Sequence, residues 1–249
     1  VYILLWGGTQ RGKPIPNCEL EKTTMKQAAI FLNGAYPAAH LDFYAAAIDA
    51  AKGRGMVISV DGALHLFHDL GKTPDIVLGD FDSVETSVLQ KYAGVQQVNY
   101  PVDKNATDGE LAIKYVLDQG CDQLEIFGAF DTTFESDQML ANVFLLALVS
   151  DRQRATGHAL NARLVDHRQE VYFLDDNDLQ LAGTPGDMLS VIPISRSVRV
   201  TLSGTKWELT DQLTRLGSSW TLRNFFVRET VEAAIGGSAV IVHRRTGNR

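Results

Sequence analysis

From Gln27 to about residue 160, short apolar runs of strand length alternate with segments in which apolar residues recur at helical spacing. "AAIFLNG", "MVISVDG", "DIVLGD", "VQQVNYP" and "QLEIFGAF" read as strands. Between them, "HLDFYAAAIDAAKG", "ETSVLQKYAG", "TDGELAIKYVLDQG" and the strongly apolar "SDQMLANVFLLALVSD" read as helices, the first ending at Gly53 as a C-cap. Thr107, with Glu110 three residues on, forms a capping-box start for the third of these helices. Regular strand–helix alternation predicts a parallel sheet covered on both faces.

After about residue 160 the pattern changes. "ARLVDH", "EVYFLDD", "LQLAG", "DMLSVIPIS", "VRVTLSG" and "SAVIVHRR" are short runs, separated by turn residues such as Asp175-Asp176-Asn177 and Gly183-Thr184-Pro185-Gly186. Val198, Val200 and Leu202 alternate with Arg199, Thr201 and Ser203, as in a half-buried strand. The expected fold class is therefore α/β: a Rossmann-like parallel α/β domain over residues 25–160, then an all-β sandwich over 161–245. Residues 1–24 fit poorly with the rest of the chain, because Met25 opens "MKQAAIFLNG" as a natural start running into a strand. They are read as an extension of uncertain role. Their "GGTQRGK" holds Gly7, Gly12 and Lys13 of a phosphate-loop pattern, but Pro14 replaces the magnesium-binding Ser/Thr and Pro16 opposes the required helix.

Composition narrows the function classes. With 249 residues and 45% apolar content, the chain can bury a sizeable core. A formal net charge of −7 argues against a nucleic-acid partner, which calls for a basic face. No apolar run is long enough to span a bilayer, and "VYILLW" has no preceding basic residue as a secretory signal would. Cys18 and Cys121 have no metal-ligand or CxxC spacing, and they read as reduced thiols of a cytoplasmic protein.

The chemistry lies where polar residues meet strand ends. In open parallel sheets, ligands bind beyond the carboxyl ends of the strands, and Asn33, Asp61, Asp80 and Asp82 all fall there. In "VLGDFDSV", Asp80 and Asp82 are two residues apart, so in extended chain they share a face. "DKNATDGE" adds Asp103, Lys104, Asn105, Thr107 and Asp108 at a helix start. Either a divalent cation sits among these acids, for which hard oxygen donors suit Mg²⁺, or each is a solvated charge or a cap. A magnesium ion so held commonly coordinates substrate phosphates, which points to phosphoryl or nucleotidyl chemistry.

"FLNG", "VDGAL", "PDIVLGDFDSV", "DKNATDGELAI", "GAFDTTFESDQMLAN" and "LSGTKWEL" together resemble the thiamine pyrophosphokinases, in that family's order and approximate spacing, over about Gln27 to His243. The resemblance implies transfer of the pyrophosphoryl group of ATP to thiamine, with release of AMP, by a homodimer whose active site lies at the subunit interface. It implies that Asp80, Asp82 and Asp108 bind the magnesium ion and are catalytic. Asn33, Asp61, Lys104, Asn105, Thr107 and Gln138 would serve ATP, and Asp137, Trp207, Thr221 and Asn224 would serve thiamine. An aromatic face at Trp207 suits a ligand carrying a cationic ring, although a sandwich-core tryptophan is the alternative.

Several positions depart from the family pattern. Glu135 stands where an arginine normally meets the phosphates, Ala63 replaces a glycine, Asn105 replaces an aspartate, and Thr221 to Asn224 ("TLRN") is a loose version of Ser-x-Ser-Asn. Arg152, Arg154 or Arg223 are the candidates to supply the missing charge. Glu135 motivates a second expectation, a divergent member that binds nucleotide or thiamine with little turnover. A third, a phosphohydrolase using an Asp-x-Asp nucleophile pair, is disfavoured because the pair follows the third strand and the C-terminal half is β.

Overall fold

The computed structural model describes residues 26–130 and 136–247. The phosphate-loop-like stretch with Gly7, Gly12 and Lys13, together with Cys18 and Glu135, lies outside the described residues. The chain begins with β1 (Gln27–Phe31), α1 (Leu41–Lys52), β2 (Gly55–Val60), α2 (Leu64–Asp69), β3 (Ile76–Gly79), α3 (Thr86–Lys91) and β4 (Gln96–Asn99). It continues through α4 (Asp108–Asp118), β5 (Gln123–Phe127), α5 (Ser136–Thr156) and β6 (Asn161–Val165). These six strands pair in parallel in the order β6-β5-β1-β2-β3-β4.

The period-two geometry of a strand explains the two layers. In and just after β1, Ala28, Ile30 and Leu32 join the core beneath α4 and α5, whereas Ala29 and Phe31 join the core beneath α1, α2 and α3. Because both faces are covered, β3 is buried along its whole length. The sheet first grows from β1 toward β4, and α4 then carries the chain back to place β5 on the other side of β1. The crevice at such a reversal is where α/β sheets take ligands. Here the loops after β1 and β5 pass so closely that a Cβ on Gly34 would lie 1.9 Å from the Gly128 carbonyl oxygen. Only glycine fits at that crossing.

The parallel sheet runs one strand further than the sequence pattern suggested. β6, placed by sequence in the sandwich, pairs in parallel with β5 and then antiparallel with β7 (Gln169–Ala182) through Leu164–Val171 and Val165–Glu170. Its short apolar run carries no mark of its partner's direction, so periodicity alone could not assign it. Hydrogen bonding therefore passes unbroken from one half of the molecule to the other.

The remaining strands are β8 (Met188–Pro193), β9 (Ser197–Ser203), β10 (Leu209–Arg215), β11 (Asn224–Phe225) and β12 (Thr230–Arg244). β7 and β12 pair along nearly their full lengths, and β12 changes its other partner from β9 to β8 across a bulge between Ile235 and Ser238. Gly237, at φ +98°, makes that bulge possible, and its N–H donates to Asp176 Oδ1 at 2.6 Å. Asp175-Asp176-Asn177, expected as a chain-reversing turn, is instead a bend inside the continuous β7, where the ladder folds over on itself. The enclosed core includes Val198, Val200 and Leu202, which alternate as the pattern required, with Leu189, Val191, Phe226, Val231 and Ile241. Each such aliphatic residue, fully buried, contributes about 1.5–3 kcal/mol.

A polar staple closes the C-terminal end. The buried Asp187 accepts from the backbone N–H of Thr184 (3.0 Å) and of Thr246 (2.9 Å), and it lies 3.0 Å from His243 Nε2. Burial alone would push the Asp187 carboxyl up, but these hydrogen bonds hold it below the usual carboxylate range. The stabilisation is fully present above the ordinary carboxylate pKa and is lost as pH falls through the lowered folded value. Asp187→Asn is expected to cost about 1–3 kcal/mol at neutral pH and to make the acid limb of stability shallower. Urea denaturation at pH 7 and at about pH 2.5 checks this, because the gap between variant and parent should narrow once the pH is below the ordinary carboxylate pKa.

Candidate active site

The carboxyl ends of β1, β2 and β3 bring together residues far apart in sequence. Asp61 follows β2 directly in a left-handed conformation (φ +48°) and is buried. Its Oδ2 accepts a hydrogen bond from Ser83 Oγ, and Ser83 Oγ accepts one from Asn33 Nδ2 at 3.2 Å. Glycines allow this close fit: a Cβ on Gly62 would sit 2.4 Å from Asn33 Oδ1, and one on Gly79 would sit 3.1 Å from Asp61 Cβ.

Asp80 and Asp82 converge by a route that differs from the expected extended strand. β3 stops at Gly79, Phe81 is left-handed (φ +65°) with its ring packed against the core beneath α1 to α3, and the Asp82 N–H donates to Asp80 Oδ1 at 3.3 Å. The carboxylates thus meet across a turn, because Phe81 is drawn inward. Asp61, Asp80 and Asp82 each offer an oxygen within 4.8 Å of the others.

One lysine offsets this charge. Lys104 Nζ lies 2.6 Å from Asp80 Oδ2 and 2.9 Å from Asp108 Oδ1, and its side chain is only 12% exposed. Burial alone would lower the Lys104 pKa, but the hydrogen bonds and charges of Asp80 and Asp108 raise it on balance. The Lys104 hydrogen bond holds the Asp80 carboxyl below its ordinary range, whereas the neighbouring Asp80 charge pushes Asp82 up. Asp108 opens α4, and Thr107 Oγ1 caps that helix by accepting from the Glu110 N–H at 3.2 Å, as its sequence position suggested.

The donor set fits a hard divalent cation. Among the described residues, three carboxylates face a single close ammonium group, and Asp61 Oδ1 is buried with no hydrogen-bond partner. A buried anionic oxygen without a partner is costly unless a cation meets it. Sequence reasoning grouped Asp108 with Asp80 and Asp82. In the structure the third corner of the compact group is Asp61, and Asp108 is linked to Asp80 through Lys104.

The other expected nucleotide and thiamine residues are spread over both halves of the chain. Asn105 is exposed beside Lys104. Gln138 Nε2 donates to Asn142 Oδ1 at 3.0 Å, and Asn142 in turn holds the Ala129 carbonyl at 3.2 Å, while Asp137 is exposed in the first turn of α5. Of the arginines considered as substitutes for the missing cation, Arg152 pairs with Asp118 at 3.0 Å and Arg154 pairs with Asp175. Arg223 lies in the sandwich domain, left-handed at φ +58°.

Trp207, Thr221 and Asn224 gather in the sandwich domain. Trp207 is 53% exposed, which excludes the core-tryptophan reading. The buried Asn224 clasps the neighbouring corner: its Oδ1 accepts from the Trp207 N–H (3.1 Å), and its Nδ2 donates to the Trp207 carbonyl (2.7 Å) and to Thr205 Oγ1 (3.2 Å). Thr221 Oγ1 donates to the Val191 carbonyl at 2.7 Å. Both polar side chains are thus spent on presenting the loops around a groove of about 630 Å³, whose lining includes Leu202, Trp207, Glu208 and Leu209.

Two residues escaped sequence reasoning. Ser83 ties Asp61 to Asn33, and its place directly after the aspartate pair was the available signal. Trp220 also lines the groove, and nothing in its surrounding "SSWTL" marks it.

Two family models match successive stretches of the chain. The profile of the thiamin pyrophosphokinase catalytic domain matches residues 49–156, and that of the thiamin pyrophosphokinase vitamin B1 binding domain matches residues 176–234. The thiamine pyrophosphokinase of Bacillus subtilis (strain 168) is 26% identical over 194 residues, covering 76% of this chain and 86% of that protein. Thiamine pyrophosphokinase 2 of Arabidopsis thaliana is 27% identical over 173 residues, or 64% of this chain and 60% of that one. Among solved structures, the Bacillus subtilis thiamine pyrophosphokinase superposes with a TM-score of 0.74 at 22% identity, over 89% of this chain and all of that one. The Candida albicans thiamin pyrophosphokinase does so with 0.70 at 12% identity, over 89% of each. With a catalytic-domain match over the acidic rim and a vitamin B1-domain match over the tryptophan groove, the chain belongs to the thiamine pyrophosphokinase family.

Proposed function

We propose that this chain is a thiamine pyrophosphokinase that transfers the pyrophosphoryl group of ATP to the hydroxyl of thiamine, giving thiamine diphosphate and AMP. The observation that carries the reading is the convergence of Asp61, Asp80 and Asp82 beside Lys104 at the carboxyl rim of a sheet whose sequence matches the family's catalytic domain. Asp80 and Asp82, with Asp61 as third oxygen donor, are the residues that would hold Mg²⁺, and Asp108 takes the outer position across Lys104. Bound there, the ion would withdraw charge from the phosphoryl oxygens and fix their orientation.

The side chains supply the rest. Lys104 brings a compact positive charge to the rim where a polyphosphate would enter. The Thr107 hydroxyl oxygen is used in capping α4, which leaves its proton free to donate to a phosphate oxygen. Asn33 and Asn105 stand at the same rim with exposed amides. On the sandwich side, Asn224 and Thr221 hold the loops of the groove in which the Trp207 ring would receive the cationic ring of thiamine.

The groove and the acidic rim belong to different halves of the chain. We assign them to one composite active site in a homodimer, where a partner's groove faces this chain's rim. Exposed Leu213, Leu216 and Val227 give the sandwich domain the apolar surface such an interface needs. No helix among the described residues is long and apolar enough to cross a membrane. A cytoplasmic enzyme acting on two small molecules is the corresponding assignment.

With Mg²⁺, ATP and thiamine present, AMP should accumulate in a thiamine-dependent manner, and Asp82→Ala should lower the rate about 10²–10³-fold. Thiamine binding without AMP release would instead establish the low-turnover reading that Glu135 motivates. Inorganic phosphate as the product would establish a hydrolase. Lys104→Met, which leaves the carboxylates without their internal cation, should lower the midpoint of thermal unfolding in the absence of divalent ions. Added Mg²⁺ should then raise that midpoint more than in the parent, and thermal shift assays with and without Mg²⁺ measure both changes.

A further inference from the structure

We infer that Trp220 is the second aromatic wall of the Trp207 groove and a specificity-determining residue for the positive charge of the thiamine ring. The inference rests on the reading that thiamine enters this groove. Trp220 is 59% exposed, more than Trp207, yet the backbone around it is tied by several hydrogen bonds. The Trp220 N–H donates to Ser218 Oγ at 3.3 Å, and the Leu222 N–H donates to the Ser219 carbonyl at 3.2 Å. Thr221 is tied to Val191 twice, by its hydroxyl at 2.7 Å and by its carbonyl, which accepts the Val191 N–H at 2.9 Å. A large apolar ring left mostly exposed on a hydrogen-bonded turn gains burial when a ligand covers it.

The groove's chemistry identifies the kind of ligand. The two indoles share its lining with Leu202, Leu209 and the carboxylate of Glu208, which is itself held by the Gly204 N–H at 3.0 Å. Arg223 is the cation in that lining. Lys206 Nζ sits over the Trp207 ring, 4.8 Å from its centroid, and Lys206 is not among the groove's lining residues, so this indole already attracts a positive charge. Both faces of an indole carry the same negative quadrupole. Two indoles and a carboxylate around an apolar floor suit a flat cationic heteroaromatic ring, and they favour it over a neutral ring of the same shape.

The experiment compares thiamine with an analogue in which a neutral thiophene replaces the thiazolium. Binding to the full-length chain is measured calorimetrically without ATP, and steady-state constants are measured alongside. Trp220→Ala should weaken thiamine binding about tenfold and the neutral analogue by about twofold or less, with KM for ATP unchanged. Trp220→Phe should recover part of the loss for thiamine.

Equal losses for the two ligands would overturn the charge-selective role, and an unchanged thiamine affinity would overturn the aromatic-wall role. Dissociation of an oligomer by Trp220→Ala, seen in light scattering, would make Trp220 an interface residue and also overturn the inference. Trp207→Ala separates this failure from that of the underlying reading. Weak thiamine binding in Trp207→Ala with normal binding in Trp220→Ala refutes the role of Trp220 alone. Normal binding in both places thiamine outside the groove and refutes both.

Discussion

Everything at the rim depends on mutual repulsion among Asp61, Asp80 and Asp82. Three carboxylates with oxygens within 4.8 Å of each other cannot all be charged cheaply, and among the described residues the close ion pair set against them is the one from Lys104. The fold holds them there by force of backbone and packing. Asp61 and Phe81 are kept left-handed, glycines 62 and 79 leave no Cβ in the way, and the Phe81 ring anchors the turn to the core. Non-glycine residues in that conformation persist only where surrounding structure over-determines them. A strand-end arrangement that stores repulsion in this way is prepared for a divalent cation, with Asp61 Oδ1 as the buried oxygen still lacking a partner.

The sandwich domain spends its polar groups differently. Asn224 and Thr221 hydrogen-bond to partners of their own domain and fix the loops that carry Trp207 and Trp220. Continuous pairing from β5 through β6 to β7 ties these loops to the same framework as the acidic rim. The long β7 and β12, bent at Asp176 and Gly237, turn one hydrogen-bonded ladder into two packed layers.

Much of this was legible in the residues. Strand–helix alternation, the Thr107 cap and the Val198–Val200–Leu202 face stem from period and local hydrogen bonding, which are short-range properties. The collection of Asn33, Asp61, Asp80 and Asp82 at strand ends stems from parallel topology alone. Four features did not show: the parallel partner of β6, the bend within β7, the inward turn of Phe81, and the placing of Asp61 rather than Asp108 in the compact acidic group. Each depends on what a segment packs against, and neither hydrophobic period nor spacing encodes that. Trp220 was missed for a related reason, since its importance comes from sharing a groove with Trp207, thirteen positions earlier in the sequence.

In the proposed site, Asp61 is the third oxygen donor to a divalent cation beside Asp80 and Asp82. Mn²⁺ titration followed by electron paramagnetic resonance, in the presence of a non-hydrolysable ATP analogue, tests it most directly. One site per chain is expected, weakened about tenfold or more by Asp61→Asn and less by Asp108→Asn. Parent-like Mn²⁺ affinity in Asp61→Asn, with the loss appearing in Asp108→Asn instead, would contradict it.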